Sequence, residues 1–213
     1  MLITSMNKEA WGDTLIVVLA QDSAVETTTQ KGDIVGIFDE AGAALGFNFF
    51  NVSQWLPALT GDGQVHLSEA DVATLNQALE AAGFEGVLPV NEAPTLVIGK
   101  IVAIEAHPDA DHLHITQVDL GNGNVRQIVC GAPNAALNET VVAALPGTMM
   151  PDGKIIWPGK LRGVDSYGML CAARELAVPG APAARGILLM PANIPAGTPY
   201  DPIIAAEVVA AAN

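Results

Sequence analysis

The stretch Leu113-His114-Ile115-Thr116-Gln117-Val118-Asp119-Leu120-Gly121-Asn122-Gly123-Asn124-Val125-Arg126-Gln127-Ile128-Val129-Cys130 reads as two short strands around a turn. Its flanks are rich in β-branched residues, which fit a pleated backbone. The Gly/Asn cluster at 121–124 supplies residues that tolerate turn conformations. The pattern continues on both sides. Leu96 to Glu105 precedes it, and Thr140 to Ala144 and Met149 to Trp157 follow, with Pro151-Asp152-Gly153 as a further turn signal. About five strands in roughly 100 residues, with helix-poor connections, make a small barrel or sandwich. Periodicity alone does not choose between the two.

Upstream, Pro89-Val90-Asn91-Glu92-Ala93-Pro94 is polar and flanked by proline, and marks a domain boundary. Before it, Thr14 to Ala20 and Asp33 to Asp39 read as buried strands. Asp39-Glu40-Ala41-Gly42 is a turn, and Ala43 to Asn51 a returning strand. Asn51 to Leu59 fits strand or helix. Ser68 opens a helix as its cap, with Asp71 as the acidic partner three residues on. Val72, Leu75, Leu79 and Ala82 follow at helical spacing, and Gly83 ends the run. The expectation is an acidic, mixed α+β domain over 1–92, an all-β domain over 95–200, and a tail or short helix over 201–213.

The 213 residues are half apolar and only 15% charged, enough for a real core and unlike a disordered chain. No apolar run approaches the ~20 residues of a membrane span. The first residues lack a basic segment followed by a long apolar one, so a cytoplasmic location is expected. The two cysteines, Cys130 and Cys171, read as small buried hydrophobes, kept free in a reducing compartment. The net charge is −14, but it is unevenly spread. Residues 1–94 hold two bases against 13 acids, and residues 95–213 hold seven against ten. Phosphate binding needs local positive charge, and the second half holds most of it.

Three segments carry more than fold information. They are His107-Pro108-Asp109-Ala110-Asp111-His112-Leu113, then Ile128-Val129-Cys130-Gly131-Ala132-Pro133-Asn134, then Lys160-Leu161-Arg162-Gly163-Val164-Asp165-Ser166-Tyr167-Gly168-Met169-Leu170-Cys171. In order and spacing they resemble the tRNA-binding domain at the N-terminus of the bacterial phenylalanyl-tRNA synthetase beta subunit. The same module occurs in stand-alone tRNA-binding proteins and in the endothelial-monocyte-activating polypeptide group. With an acidic domain before the module, the chain looks like the small bacterial proteins of the YtpR type.

The resemblance implies an oligonucleotide-binding (OB) barrel, tRNA as partner, no cofactor and no catalysis. It places RNA contacts at Asn134, at Lys160 and Arg162 of the Lys-Leu-Arg-Gly segment, and at Ser166 and Met169 of the Ser-x-Gly-Met-Leu turn. The residue types suit this role. Lys and Arg neutralise phosphates, and Asn and Ser hydrogen-bond base edges or 2′-hydroxyls. Lys154 and Arg174 add cations to a modestly basic face that also holds Lys100, Arg126 and Arg185. His112 stands where the family often has Lys, which removes one phosphate contact at neutral pH. Stand-alone members look like dimers, which implies a homodimer with Ile203 to Ala212 as docking element. The acidic domain secures solubility or docks a basic protein partner.

Two readings stand beside this one. The barrel could be a scaffold for protein partners, since fold alone does not fix function. The His/Asp loop at 107–114 could serve a hydrolase. It is similar to the His-x-His-x-Asp-His loop of metallo-β-lactamase-type enzymes. However, Asp109 replaces the second His, and no His follows to complete a zinc set. On the structural reading, Pro108 and the two Asp residues shape a turn, with Asp111 bonding local backbone. Ser166 lies outside a Gly-x-Ser-x-Gly elbow and reads as RNA contact or turn-former rather than nucleophile.

Overall fold

A computed structural model describes residues 1–90 and 93–212. They divide into two compact units, Met1–Glu92 and Ala93–Asn213. Asn91 and Glu92, at the centre of the expected linker, lie outside the described residues. Among the described residues no helix is long and apolar enough to cross a membrane.

The first unit runs β1 (Ile3–Met6), α1 (Lys8–Trp11), β2 (Thr14–Val18), β3 (Glu26–Lys31), β4 (Ile34–Asp39), β5 (Ala44–Phe50), β6 (Gly63–Val65) and α2 (Glu69–Ala81). The six strands form one antiparallel sheet in the order β3-β4-β5-β2-β1-β6. Largely β architecture therefore replaces the mixed α+β expectation. The difference comes from strands that apolar periodicity does not mark. β3 (ETTTQK) is an almost wholly exposed edge strand, so its residues have no core face to declare. It is held instead by its turn, Gly32-Asp33, in which Gly32 adopts φ +60. Asn51 to Leu59, which fitted strand or helix, contains a single short 3₁₀ turn at Val52–Gln54.

The α2 N-terminus follows the sequence closely. The Ser68 hydroxyl accepts from the Asp71 N–H (3.2 Å), and the Asp71 carboxylate accepts from the Ser68 N–H (2.9 Å). Val72, Leu75 and Leu79 are buried in a core with Leu15, Phe47 and Phe49.

The second unit contains β7 (Leu96–Ala106), β8 (His114–Asp119), β9 (Val125–Cys130), β10 (Thr140–Ala144), β11 (Gly159–Leu161), β12 (Val164–Ser166), β13 (Met169–Leu170) and α3 (Pro202–Ala212). Five strands pair antiparallel in the order β13-β10-β7-β8-β9. A register shift between Ile101 and Ala103 bends the long β7. The ends of the sheet approach each other and nearly close a barrel. The expected strand over Met149 to Trp157 is instead a tight turn with one bridge, Met149 to Ile155. The last barrel strand is β13, too short for a two-residue period to show.

The barrel is packed on both surfaces. Val97, Ile101, Val118, Ile128 and Val141 fill one cluster. Ile98, Val142 and Ala144 face a second one with Leu188 and the α3 residues Ala205 and Val209. β10 is buried at every position, which explains its unbroken TVVAA sequence. Both cysteines are free and buried, Cys130 in the first cluster and Cys171 in the second. Burial pushes the Cys171 thiol up to about 12, and the nearby Glu175 charge adds to the shift.

Candidate nucleic-acid interface

β11 and β12 form a hairpin joined by Arg162-Gly163, with Leu161 opposite Val164 and Lys160 opposite Asp165. A two-residue turn of this hand needs positive φ at both positions. Arg162 sits at φ +48 and Gly163 at φ +87. The Lys-Leu-Arg-Gly segment therefore sets a backbone turn and presents a guanidinium at its tip. Arg162 is exposed. Lys160 Nζ lies 3.0 Å from Asp165 Oδ1, and both side chains remain open to solvent. Such exposed pairs contribute little, about 0–1 kcal/mol. A phosphate can displace Asp165 at small cost.

The hairpin is attached to the barrel by groups from the other motifs. His107 is buried. Its Nδ1 accepts from the Asp109 N–H (3.1 Å), which places the ring proton on Nε2. Nε2 then donates to the Leu161 carbonyl (3.1 Å). The His107 N–H also donates to the Leu113 carbonyl (3.0 Å). His107 thus organises the turn that Asp111 was expected to make, and no bond from Asp111 occurs among the described residues. The same His107 contact ties the first motif to the third. Among the described residues, no group of three or more His, Cys, Asp or Glu could hold a metal ion.

Ser166 closes the seam between β12 and β9. It is 3% exposed; its hydroxyl accepts from the Val129 N–H (3.1 Å) and donates to the Gly168 carbonyl (3.2 Å). The Tyr167 N–H donates to the Gln127 carbonyl (2.9 Å), and Gln127 Nε2 donates to the Asp165 carbonyl (2.8 Å). Gly168 adopts φ +149, and a Cβ there would lie 2.7 Å from the Ala144 carbonyl oxygen. The Ser-x-Gly turn is thus what lets β13 approach β10. Asn134 is used internally in the same way. Its amide donates to the Ile187 carbonyl and accepts from the Ile187 N–H, both at 2.9 Å.

The remaining expected site residues sit at the surface or a groove. His112 is exposed on its turn, and Lys154 follows a turn in which its N–H bonds Asp152 Oδ1 (3.0 Å). Met169 and Arg174 line a groove of about 210 Å³ beside the end of β9. Arg174 Nη1 donates to the carbonyls of Ala183 and Ala184, each at 3.2 Å. Arg185, counted in the sequence only as one of the basic residues, lines the same groove. No motif marks it; only its place just before Gly186 and Ile187, which Asn134 contacts, could have.

The family described as "Putative tRNA binding domain" matches residues 96–199, and a domain of unknown function, DUF4479, matches residues 21–91. The "Putative tRNA-binding protein YtpR" of Bacillus subtilis (strain 168) is 41% identical over 92% of this chain and 97% of its own length. The phenylalanine–tRNA ligase beta subunit of Neisseria meningitidis is 40% identical over 62% of this chain, which spans 17% of that subunit. The crystal structure of a MetRS-related protein from Pyrococcus horikoshii is 21% identical, covering 48% of this chain and 85% of that one, with a TM-score of 0.37.

Proposed function

As the chain belongs to the YtpR family, we propose that it binds tRNA through its second unit and catalyses no reaction. The observation that carries this reading is the β11–β12 hairpin. In a chain of net charge −14, it holds Lys160 and Arg162 outward on a turn pinned to the barrel by His107. The barrel is read as OB-type, whose rims suit unpaired or structured RNA elements. Lys160 and Arg162 contact phosphates, with Lys154, His112 and Arg174 as peripheral contributors. Asn134 and Ser166, whose polar atoms are bonded within the protein, shape the surface, and Met169 offers an apolar contact.

Two finer features belong to the same reading. The exposed Ile203 of α3 (69% exposed) serves a homodimer contact, while Ala205 and Val209 hold the helix to its own barrel. The acidic first unit keeps RNA off its own surface and is available to a basic protein partner.

The test is a filter-binding titration with a tRNA transcript at low salt. Saturable retention is expected, and Lys160→Ala with Arg162→Ala together should weaken it about tenfold or more and flatten its salt dependence by about two phosphate contacts. Absence of retention, or indifference to both substitutions, defeats the proposal.

A further inference from the structure

The groove beside β9 has walls from two of the three motif segments and from the Arg185 segment. Cys130, Gly131 and Ala132 come from the end of β9, Met169 from β13, and Arg174 and Arg185 from the loops that follow. Its volume is about 210 Å³, well above the ~10–15 Å³ that a single water needs. That is the scale of one planar base or one phosphate with part of its sugar, and too small for a folded element.

Two of the chain's nine Lys and Arg residues stand at this one groove. Among the described residues Arg174 bonds through Nη1 alone, to the carbonyls of Ala183 and Ala184. A guanidinium has five N–H donors, so its other edge stays available. Arg185 is exposed, with no acidic or hydrogen-bonding partner among the described residues. The one carboxylate in the lining is Glu175, and its Oε2 is engaged by the Ala172 N–H at 2.7 Å. The groove therefore carries a net positive charge inside a strongly anionic molecule.

The rim is built rather than loose. Asn134 bonds both backbone groups of Ile187. A Cβ on Gly186 would lie 3.0 Å from Asn134 Oδ1, a tight contact that would push the Asn134 amide by a few tenths of an ångström. Asn134 is thus a positioning residue for the segment that begins with Arg185. Chain distance also links the groove to the hairpin. Met169 lies four positions after Asp165, a span of at most about 14 Å.

We propose that this groove receives one unstacked nucleotide of the bound RNA. Its phosphate lies on Arg185 and the free edge of Arg174, and its base lies against Met169. The inference rests on the RNA-binding reading above and adds to it a place where a single-stranded residue leaves the stack. Guanidinium groups recognise phosphate through paired N–H donors. The Met169 thioether gives a polarisable apolar contact to an aromatic face.

The experiment uses the full chain, a labelled tRNA transcript, and a short unstructured oligoribonucleotide carrying 2-aminopurine. Arg185→Ala is compared with wild type by anisotropy across a salt series and by 2-aminopurine fluorescence. Arg185 is exposed, so the substitution leaves the fold intact. Oligonucleotide affinity should fall about three- to tenfold, and its salt slope should shrink by about 0.7. The 2-aminopurine signal change should be lost, and Arg185→Lys should restore the salt slope.

Unchanged affinity, slope and signal in Arg185→Ala, with wild type still retaining tRNA, overturns the groove and leaves the tRNA reading standing. Arg185-dependent oligonucleotide binding without tRNA retention supports the groove and defeats the tRNA reading. If wild type binds neither RNA, both fall. Equal, Arg185-dependent displacement of the oligonucleotide by a short polyglutamate peptide overturns the nucleotide assignment in favour of a general acidic-chain site.

Discussion

The cores of the two units are filled by different side chains. All five phenylalanines lie in the first, where Phe47 and Phe84 meet edge to face at 5.6 Å and Phe38 stacks on Phe84 at 6.3 Å. The second has none, and packs Val, Ile, Leu, Met, Ala and Cys instead. Around this core the second unit fixes its loops with individual side-chain hydrogen bonds: His107 to Leu161, Ser166 to Val129, Asn134 to Ile187. A unit built this way holds its exposed hairpin and groove in defined positions, which is what an RNA-reading surface requires. The first unit carries 13 of the 23 acids and clamps one loop in the same way, with the Asn76 amide bonding both backbone groups of Leu88, but that clamp carries no exposed cation.

The comparison is sharpened most strongly at Phe47, which is 1% exposed at the centre of the aromatic cluster. Phe47→Ala should cost about 3–5 kcal/mol through lost burial and the cavity left behind. Hydrogen exchange should show protection lost in residues of the first unit, with tRNA affinity per folded molecule unchanged. Equal loss of protection in β7 to β10 would break the claim that the aromatic core serves the first unit.

What the sequence made legible follows the same division. The Ser68–Asp71 cap, the α2 repeat of Val72, Leu75 and Leu79, and the strands β8 to β10 could be read because each has a periodic buried face or a local cap. β3 escaped notice because its exposed threonines alternate with nothing apolar. β13 escaped because two residues have no period. At the candidate site, Lys160 and Arg162 were legible as exposed cations in a turn. The inward use of Ser166 and Asn134 was not, because their partners, Val129 and Ile187, are 37 and 53 residues away in sequence. Arg185 carries no local signal; only the long-range Asn134 contact gives it a place.

The second unit should be the alkali-sensitive one, since both cysteines lie there. Burial, with the Glu175 charge adding, raises the Cys171 thiol from 9.0 to about 12 in the folded chain. The folded state thus keeps the proton while the unfolded state releases it near 9. The contribution to stability is complete below about pH 9 and is lost as pH rises toward 12, at about 1.4 kcal/mol per pH unit. Cys130 is also raised by burial and acts in the same direction. Urea midpoints for the second unit should fall between about pH 9 and 10.5, and Cys171→Ala should flatten that fall. A midpoint independent of pH in this window, or a slope unchanged by Cys171→Ala, contradicts a buried neutral thiol.

The smallest stability effect and the most direct functional one meet at Asp165. Its carboxylate is 46% exposed and pairs with Lys160 across the hairpin. Its backbone carbonyl, not its side chain, receives Gln127. Asp165→Asn keeps the shape and that backbone bond, removes one negative charge, and frees Lys160. Stability should change by less than about 1 kcal/mol, because exposed pairs contribute little. The affinity for tRNA at low salt should rise about two- to fivefold, with a steeper salt dependence, since Lys160 then neutralises phosphate without displacing a competitor. This separates the two kinds of polar residue in the second unit. Changing a surface charge alters binding and leaves the fold alone, whereas the internal bonds of Ser166 and Asn134 hold the fold first. Unchanged tRNA affinity in Asp165→Asn would place Lys160 away from the RNA, and Arg162 would then be the hairpin's only phosphate contact.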